Sequence, residues 1–209
     1  MEARPCVHVV DDEAEIREAL AVTIGMMDLD FASYASGPEF LERCQPPHRG
    51  CLIVDLRMPG MSGLELLDVL QQRRIRLPAI VISGHGDIRT AVQAMRAGAV
   101  DFLEKPYRLE SLRLSVHRAI EAAERLQRKT TWLDAIKTRY DGLSAEERDV
   151  MQLTVSGWLD KTIAAKMSIS IRTVQLRRAH LMKKMMAESR AELIQMAQAL
   201  DDSQGERGG

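Results

Sequence analysis

The chain has 209 residues, of which 45% are hydrophobic and 28% charged, with a formal net charge of −1; this suits a folded protein of one large domain or two small ones. Three cysteines without a CxxC pair read as reduced, mostly buried small residues, and the five histidines show no metal-ligand spacing. No window approaches the ~20 apolar residues of a membrane span and MEARPCVHVV is unlike a secretory signal, so a cytoplasmic protein with no membrane association is expected.

Residues 6 to 107 alternate short apolar runs with helical patterns. CVHVV (6–10), FASY (31–34), CLIV (51–54), AIVI (79–82) and VDFL (100–103) read as strands. EIREALAVTIGMM, PEFLERC, GLELLDVLQQR and DIRTAVQAMRAG, with apolar residues three or four apart, read as the helices between them. Such alternation predicts a five-stranded parallel sheet covered on both faces. Residues 109 to 140 hold no strand-like run, glycine or proline, and Leu109, Leu112, Val116, Ile120 and Ala123 follow a helical period. The last helix of the α/β domain is therefore expected to continue as a linker.

Beyond Gly142 the pattern is wholly helical. Ser144 with Glu147, and Ser189 with Glu192, have capping-box spacing, and Gly157 should end the first of these helices. Helices near 160–167 and 171–186 meet at the SISI corner, the size and spacing of a helix-turn-helix. Charge is uneven: residues 161 to 184 carry seven basic residues and no acid, a local stripe that points to nucleic acid.

The stretch VDLRMPGMSG (54–63) ends a buried strand in a single acid, Asp55, before a turn rich in glycine and proline. In a doubly wound sheet of order 2-1-3-4-5, strands 1 and 3 are neighbours and ligands bind beyond their carboxyl ends. Asp11, Asp12 and Glu13 follow strand 1 there, so several carboxylates converge on Asp55. A cation is needed among them, and all-oxygen ligands suit Mg²⁺. Beside the metal, Asp55 would be placed to act as an oxygen nucleophile. Strand 4 ends in Ser83, a hydroxyl donor beside Gly84, and strand 5 is followed by Lys105, a point charge for a phosphoryl oxygen. Singly, each residue is an ordinary turn former, cap or solvated lysine; together they occupy the carboxyl ends of four strands.

VVDDE, DLRMPGMSG, ISGHGD and GAVDFLEKPY resemble the signature segments of two-component response-regulator receivers over about the first 120 residues. The resemblance implies a flavodoxin-like (CheY-like) α/β receiver with Asp55 as phosphoacceptor. Mg²⁺ would be held by Asp12, Asp55 and the backbone carbonyl of Arg57, with help from Asp11. Ser83 and Lys105 would contact phosphoryl oxygens, and Phe102 would be the aromatic that turns inward on activation. Arg57 and His85 fall at positions that tune the lifetime of the acyl phosphate.

On an ideal helix from 171 to 186, Val174, Leu181 and Met185 form one stripe, suited to pack on Ile163 and Ala164 of the preceding helix. The opposite stripe carries Arg172, Leu176, Ala179 and Lys183, with Gln175 and His180 beside it. Leucine and alanine amid bases suit a surface laid in a major groove. LSAEERDVMQLTVSG and DKTIAAKMSISIRTVQLRRAHLMKKM resemble the all-α, four-helix DNA-binding domain of the NarL/FixJ (LuxR-type) class, with FixJ-like regulators the most similar in overall layout. By that resemblance Gln175, Leu176 and Arg178 or Ala179 would face bases, and Lys161, Thr173, Arg177, Lys183 and Lys184 would face phosphates. Asp160 stands where the family more often has asparagine.

The expected organisation is a receiver over 1–122, a helical linker over 123–140 and a LuxR-type reader over 141–209. A sensor histidine kinase would phosphorylate Asp55, and phosphorylated chains would form a homodimer on double-stranded DNA, with RNA polymerase a further partner. Val92, Met95, Arg96 and Asp101 are candidates for the dimer face. Induced pairing and relief of an inhibitory contact through Trp132, Leu133, Ile136 and Tyr140 both remain open here. A turnover enzyme using Asp55 as nucleophile would need an acid two residues further on, and that residue is Arg57. A reader whose receiver answers to protein contact instead of phosphate is the other alternative.

Overall fold

The computed structural model describes residues 4–45, 49–84 and 88–205. They form two compact units, residues 1–127 and 128–209.

In the first unit the strands are β1 (Cys6–Val10), β2 (Asp30–Tyr34), β3 (Gly50–Asp55), β4 (Ala79–Ser83) and β5 (Ala99–Glu104). Between them run α1 (Ala14–Gly25), α2 (Gly37–Arg43), α3 (Gly63–Gln72) and α4 (Ile88–Arg96), and α5 (Leu109–Asp141) follows. All neighbouring strands are parallel, in the order β2-β1-β3-β4-β5. The side-chain period of two divides the core. From β3, Leu52 and Val54 pack towards Phe40 of α2, Leu66 of α3 and Ala94 of α4. Cys51 and Ile53 pack on the other face against Leu20 and Ile24 of α1 and Leu112, Val116 and Ala119 of α5. All three cysteines are free, and burial pushes the Cys6 and Cys51 thiols up to about 11 and 12, so they stay protonated and act as small apolar residues.

Strand β5 breaks the period once. Ala79 pairs with Ala99 but Ile80 pairs with Asp101, which leaves Val100 as an extra, bulged residue. Beyond the bulge the faces exchange. Phe102 therefore joins Ala99 on the α4 side, three residues away in sequence, and Leu103 joins the α1/α5 side.

Helix α5 runs unbroken for 33 residues, and the boundary between the units falls within it. The predicted continuation of the last receiver helix is thus present, with Ala119 buried in the stripe and Leu109 exposed at its start. Near its end Ile136 and Tyr140 join the core of the second unit.

The second unit adds α6 (Ala145–Val155), α7 (Asp160–Met167), α8 (Ile171–Met185) and α9 (Arg190–Gly205). Ser144 and Glu147 form the complete reciprocal capping box at the start of α6. At α9 the box is altered: the Ser189 hydroxyl accepts from the Glu192 N–H, but the Glu192 carboxylate accepts from the N–H of Glu188, one residue earlier. Gly157, at φ +94°, follows α6 in the left-handed region that glycine tolerates. Val174, Leu181 and Met185 of α8 are fully buried, as are Ile163 and Ala164 of α7 or nearly so. No helix among the described residues is long and apolar enough to cross a membrane.

Candidate functional site

Asp55 is the last residue of β3 and is buried. One carboxylate oxygen accepts from Lys105 Nζ at 2.8 Å and the other from the N–H of Arg57 at 2.6 Å. Asp11 follows β1 and is buried beside it: Oδ1 accepts from the Glu13 N–H at 2.9 Å and Oδ2 from Lys105 Nζ at 3.2 Å. Glu13 stands 4.0 Å from the same ammonium, while Asp12 is exposed. The Lys105 N–H donates to the Ser83 carbonyl at 2.8 Å, and the bond from Lys105 to Pro106 is cis. A single lysine therefore neutralises carboxylates brought from two neighbouring strands.

Electrostatics follow from this packing. Burial pushes the Asp11 carboxyl above its ordinary value and the Asp55 charge adds to the rise, against the pull of the Glu13 N–H and Lys105. Burial works against the Lys105 charge, but hydrogen bonds and charges from Asp55 and Asp11 outweigh it and hold the ammonium above the usual lysine value. Ser83 is buried at the end of β4, and Phe102 is half-buried on the α4 side of β5. Arg57 is exposed beside Asp55. His85 lies outside the described residues.

On the second unit, α7 and α8 meet through Ser168, which is left-handed at φ 55°, and Ser170, whose hydroxyl caps α8 by accepting from the Thr173 N–H at 3.0 Å. The Thr173 hydroxyl bonds that same cap at 2.8 Å. Lys161, Gln175, Leu176, Ala179 and Lys183 are exposed, and Arg177 is half-buried. Two of the predicted DNA residues are held by acids. Arg178 pairs with Asp160 at 2.6 Å, and Lys184 pairs with the buried Glu147 at 2.6 Å.

Comparison with known proteins settles the family. The model of the response regulator receiver domain matches residues 7–117, and that of bacterial regulatory proteins of the luxR family matches residues 141–197. The transcriptional regulatory protein FixJ of Azorhizobium caulinodans is 41% identical over 91% of this chain and 90% of its own. FixJ of Rhizobium meliloti is 42% identical over 92% and 95%. Among solved structures, the response regulator StyR superposes with a TM-score of 0.81 at 33% identity, covering 94% of this chain and 99% of its own. Full-length FixJ from B. japonicum gives 0.57 at 34% identity, over 94% and 97%.

The chain belongs to the two-component response regulators with a LuxR-type DNA-binding domain. It is a transcriptional regulator and not an enzyme. A receiver implies a histidine kinase as partner, and a LuxR-type domain implies DNA.

Receivers of this family use Mg²⁺, and the donor set of this response regulator suits that ion. Its donors are all oxygens, and Asp11 and Asp55 already converge on a cation, the Lys105 ammonium. Among the described residues no group of three or more acidic, histidine or cysteine side chains is placed to hold a metal ion.

Two features of the receiver escaped the sequence reading. A Cβ on Gly63 would run into the Asp55 carbonyl oxygen and crowd Val54, so glycine is what lets α3 start against the strand that carries Asp55. In the sequence this glycine reads only as part of a turn rich in glycine and proline. Ser115 of α5 donates to Asp101 Oδ2 at 2.5 Å, and Arg118 pairs with the same oxygen. A serine inside an apolar helical stripe was the one available hint.

Proposed function

We propose that Asp55 is the phosphoacceptor of the receiver and that its phosphorylation drives the chain to pair on DNA. What supports this most directly is the buried Asp55 carboxylate, oriented by the Arg57 N–H and balanced by Lys105 at the carboxyl ends of β1, β3 and β5. A carboxylate oxygen attacks the phosphohistidine of the kinase. The O–P bond forms as the N–P bond breaks, and the imidazole leaves with the electron pair.

Mg²⁺ would be held by Asp11, Asp12, Asp55 and the Arg57 carbonyl, and when bound it offsets the charge brought together by carboxylates and phosphoryl group. Lys105 then transfers its hydrogen bond from the carboxylate to a phosphoryl oxygen. The Ser83 hydroxyl turns to another oxygen, and Phe102 fills the space this leaves behind β4. Arg57, exposed beside Asp55, would tune how fast the acyl phosphate is lost, a role that the family resemblance also gives to His85.

The pairing surface would lie on α4, where Val92 and Met95 are 44% and 51% exposed beside exposed Arg96, with Asp101 of β5 at its edge. Residues 1–122 act as receiver, 123–140 as linker and 141–209 as reader. Two readers then meet a roughly two-fold site one DNA turn apart. Lys161, Thr173, Arg177, Lys183 and Lys184 serve phosphates, and Gln175, Leu176 and either Arg178 or Ala179 serve the base side. The phosphorylated homodimer works in the cytoplasm, with RNA polymerase as the partner through which transcription responds.

Incubation with Mg²⁺ and a small phosphodonor, followed by intact-mass measurement, should show one alkali-labile phosphoryl group on wild type and none on Asp55→Asn. Equal labelling of both proteins contradicts the assignment.

A further inference from the structure

The reading surface of α8 can be narrowed by taking the buried stripe as origin. At about 100° per residue, Arg178 lies only about 40° around from the buried Val174, on the flank that faces α7. Its guanidinium reaches Asp160 at the first turn of that helix, at 2.6 Å, and the Asp160 carboxylate is itself largely buried at 19% exposure. Its acid also sits favourably at the positive end of α7. Arg178 is thereby kept beside the joint between the two helices.

Directly opposite the buried stripe stand Arg172, Leu176, Ala179 and Lys183, all exposed. Arg172 and Lys183 are about 16 Å apart along the axis at 1.5 Å per residue, wider than the roughly 12 Å major groove. They are set to meet the phosphate walls. Leu176, 58% exposed, and Ala179 lie between them with Gln175 alongside. An apolar centre between two cations matches one feature of duplex DNA, the thymine methyl, with an adenine amide pairing available to glutamine.

We propose that Leu176 and Ala179 read thymine methyl groups, and that Asp160 keeps the reading head apolar by holding Arg178 away from the bases. The regulator then selects operator cores of A·T pairs, and Asp160 is a positioning residue for specificity. This rests on the reading of the second unit as a DNA binder.

The test uses the full-length protein with Mg²⁺ and phosphodonor. Selection from a randomised duplex library should return A·T pairs at the core of each half-site. Replacing a contacted thymine by deoxyuridine should weaken wild type roughly fourfold, the worth of one buried methyl. Leu176→Ala should bind both duplexes alike; its exposed position leaves folding untouched. Asp160→Asn should remain folded but select guanine at a core position, because the freed guanidinium is the preferred partner of guanine O6 and N7. Sequence-specific, salt-dependent binding with no difference between thymine and deoxyuridine overturns the methyl reading while leaving DNA binding intact. An unchanged base preference in Asp160→Asn overturns the role of that residue. Absence of any sequence selection by wild type overturns this inference and the DNA-binding reading together.

Discussion

Asp11 and Asp55 share one lysine, and the sharing is unequal. Each carboxylate accepts from the ammonium and from one backbone N–H, Asp55 at the shorter distances, and burial makes the Asp11 carboxyl harder to ionise in the fold than in the unfolded chain. With a folded value above the ordinary 3.8, its charge at neutral pH costs stability, and the cost fades as pH falls below the folded value. Asp11→Asn should therefore raise the thermal midpoint of the receiver by a few degrees and flatten this acid-side dependence in calorimetry, while phosphorylation with Mg²⁺ is lost. A lower midpoint contradicts the electrostatic account. Gly63→Ala should cost roughly 1–3 kcal/mol in denaturant unfolding, since the Asp55 carbonyl fills the place of its methyl. The acids, Ser83 and Lys105 were legible in sequence because each ends or follows a recognisable strand. Gly63, Asp160 and Arg178 were not, because their roles depend on which backbone or charge the fold brings alongside.

At the scale of elements, the strands and helices emerged within a residue or two of their sequence patterns, since apolar period and capping residues are local signals. The bulge at Val100 was invisible: VDFL has the composition of a plain strand, and the extra residue shows only against β4. Its consequence is large, for it sends Phe102 to the α4 side and Asp101 towards α5. There Ser115 and Arg118 clasp Asp101, whose Oδ1 also accepts from the Phe102 N–H at 3.0 Å. The clasp joins the strand that carries Phe102 to the helix that continues into the second unit. Ser115→Ala should cost roughly 1–2 kcal/mol by denaturant titration, a charged hydrogen bond discounted for partial exposure; an unchanged midpoint would show that the clasp is incidental. In the reader, the bond to Lys184 and the Ser144 N–H hold the Glu147 carboxyl below its usual value. Its contribution is complete above the unfolded value near 4.5 and is lost as pH falls through the lower folded one. Glu147→Gln should remove stability at neutral pH and leave a shallower acid limb, read by far-ultraviolet dichroism.

For the whole molecule, two cores of separate composition lie along one chain, and α5 belongs to both. Calorimetry should not be treated as a single two-state transition. Under the proposed pairing a lone reader makes few phosphate contacts, so affinity should rise on dimerisation and fall steeply with salt. The family and the order of its parts were legible because motif spacing survives in sequence; the pairing of Arg178 with Asp160, on which the proposed base preference rests, was not, because it needs α7 and α8 side by side. The central claim is that phosphate on Asp55 controls pairing and, through it, DNA affinity. The decisive measurement is light scattering combined with DNA binding on wild type and Asp55→Asn, each with Mg²⁺ and beryllofluoride. The account predicts that wild type alone dimerises and gains at least tenfold in affinity for a two-fold site, the order expected when a second module joins intramolecularly; identical behaviour of the two proteins contradicts it.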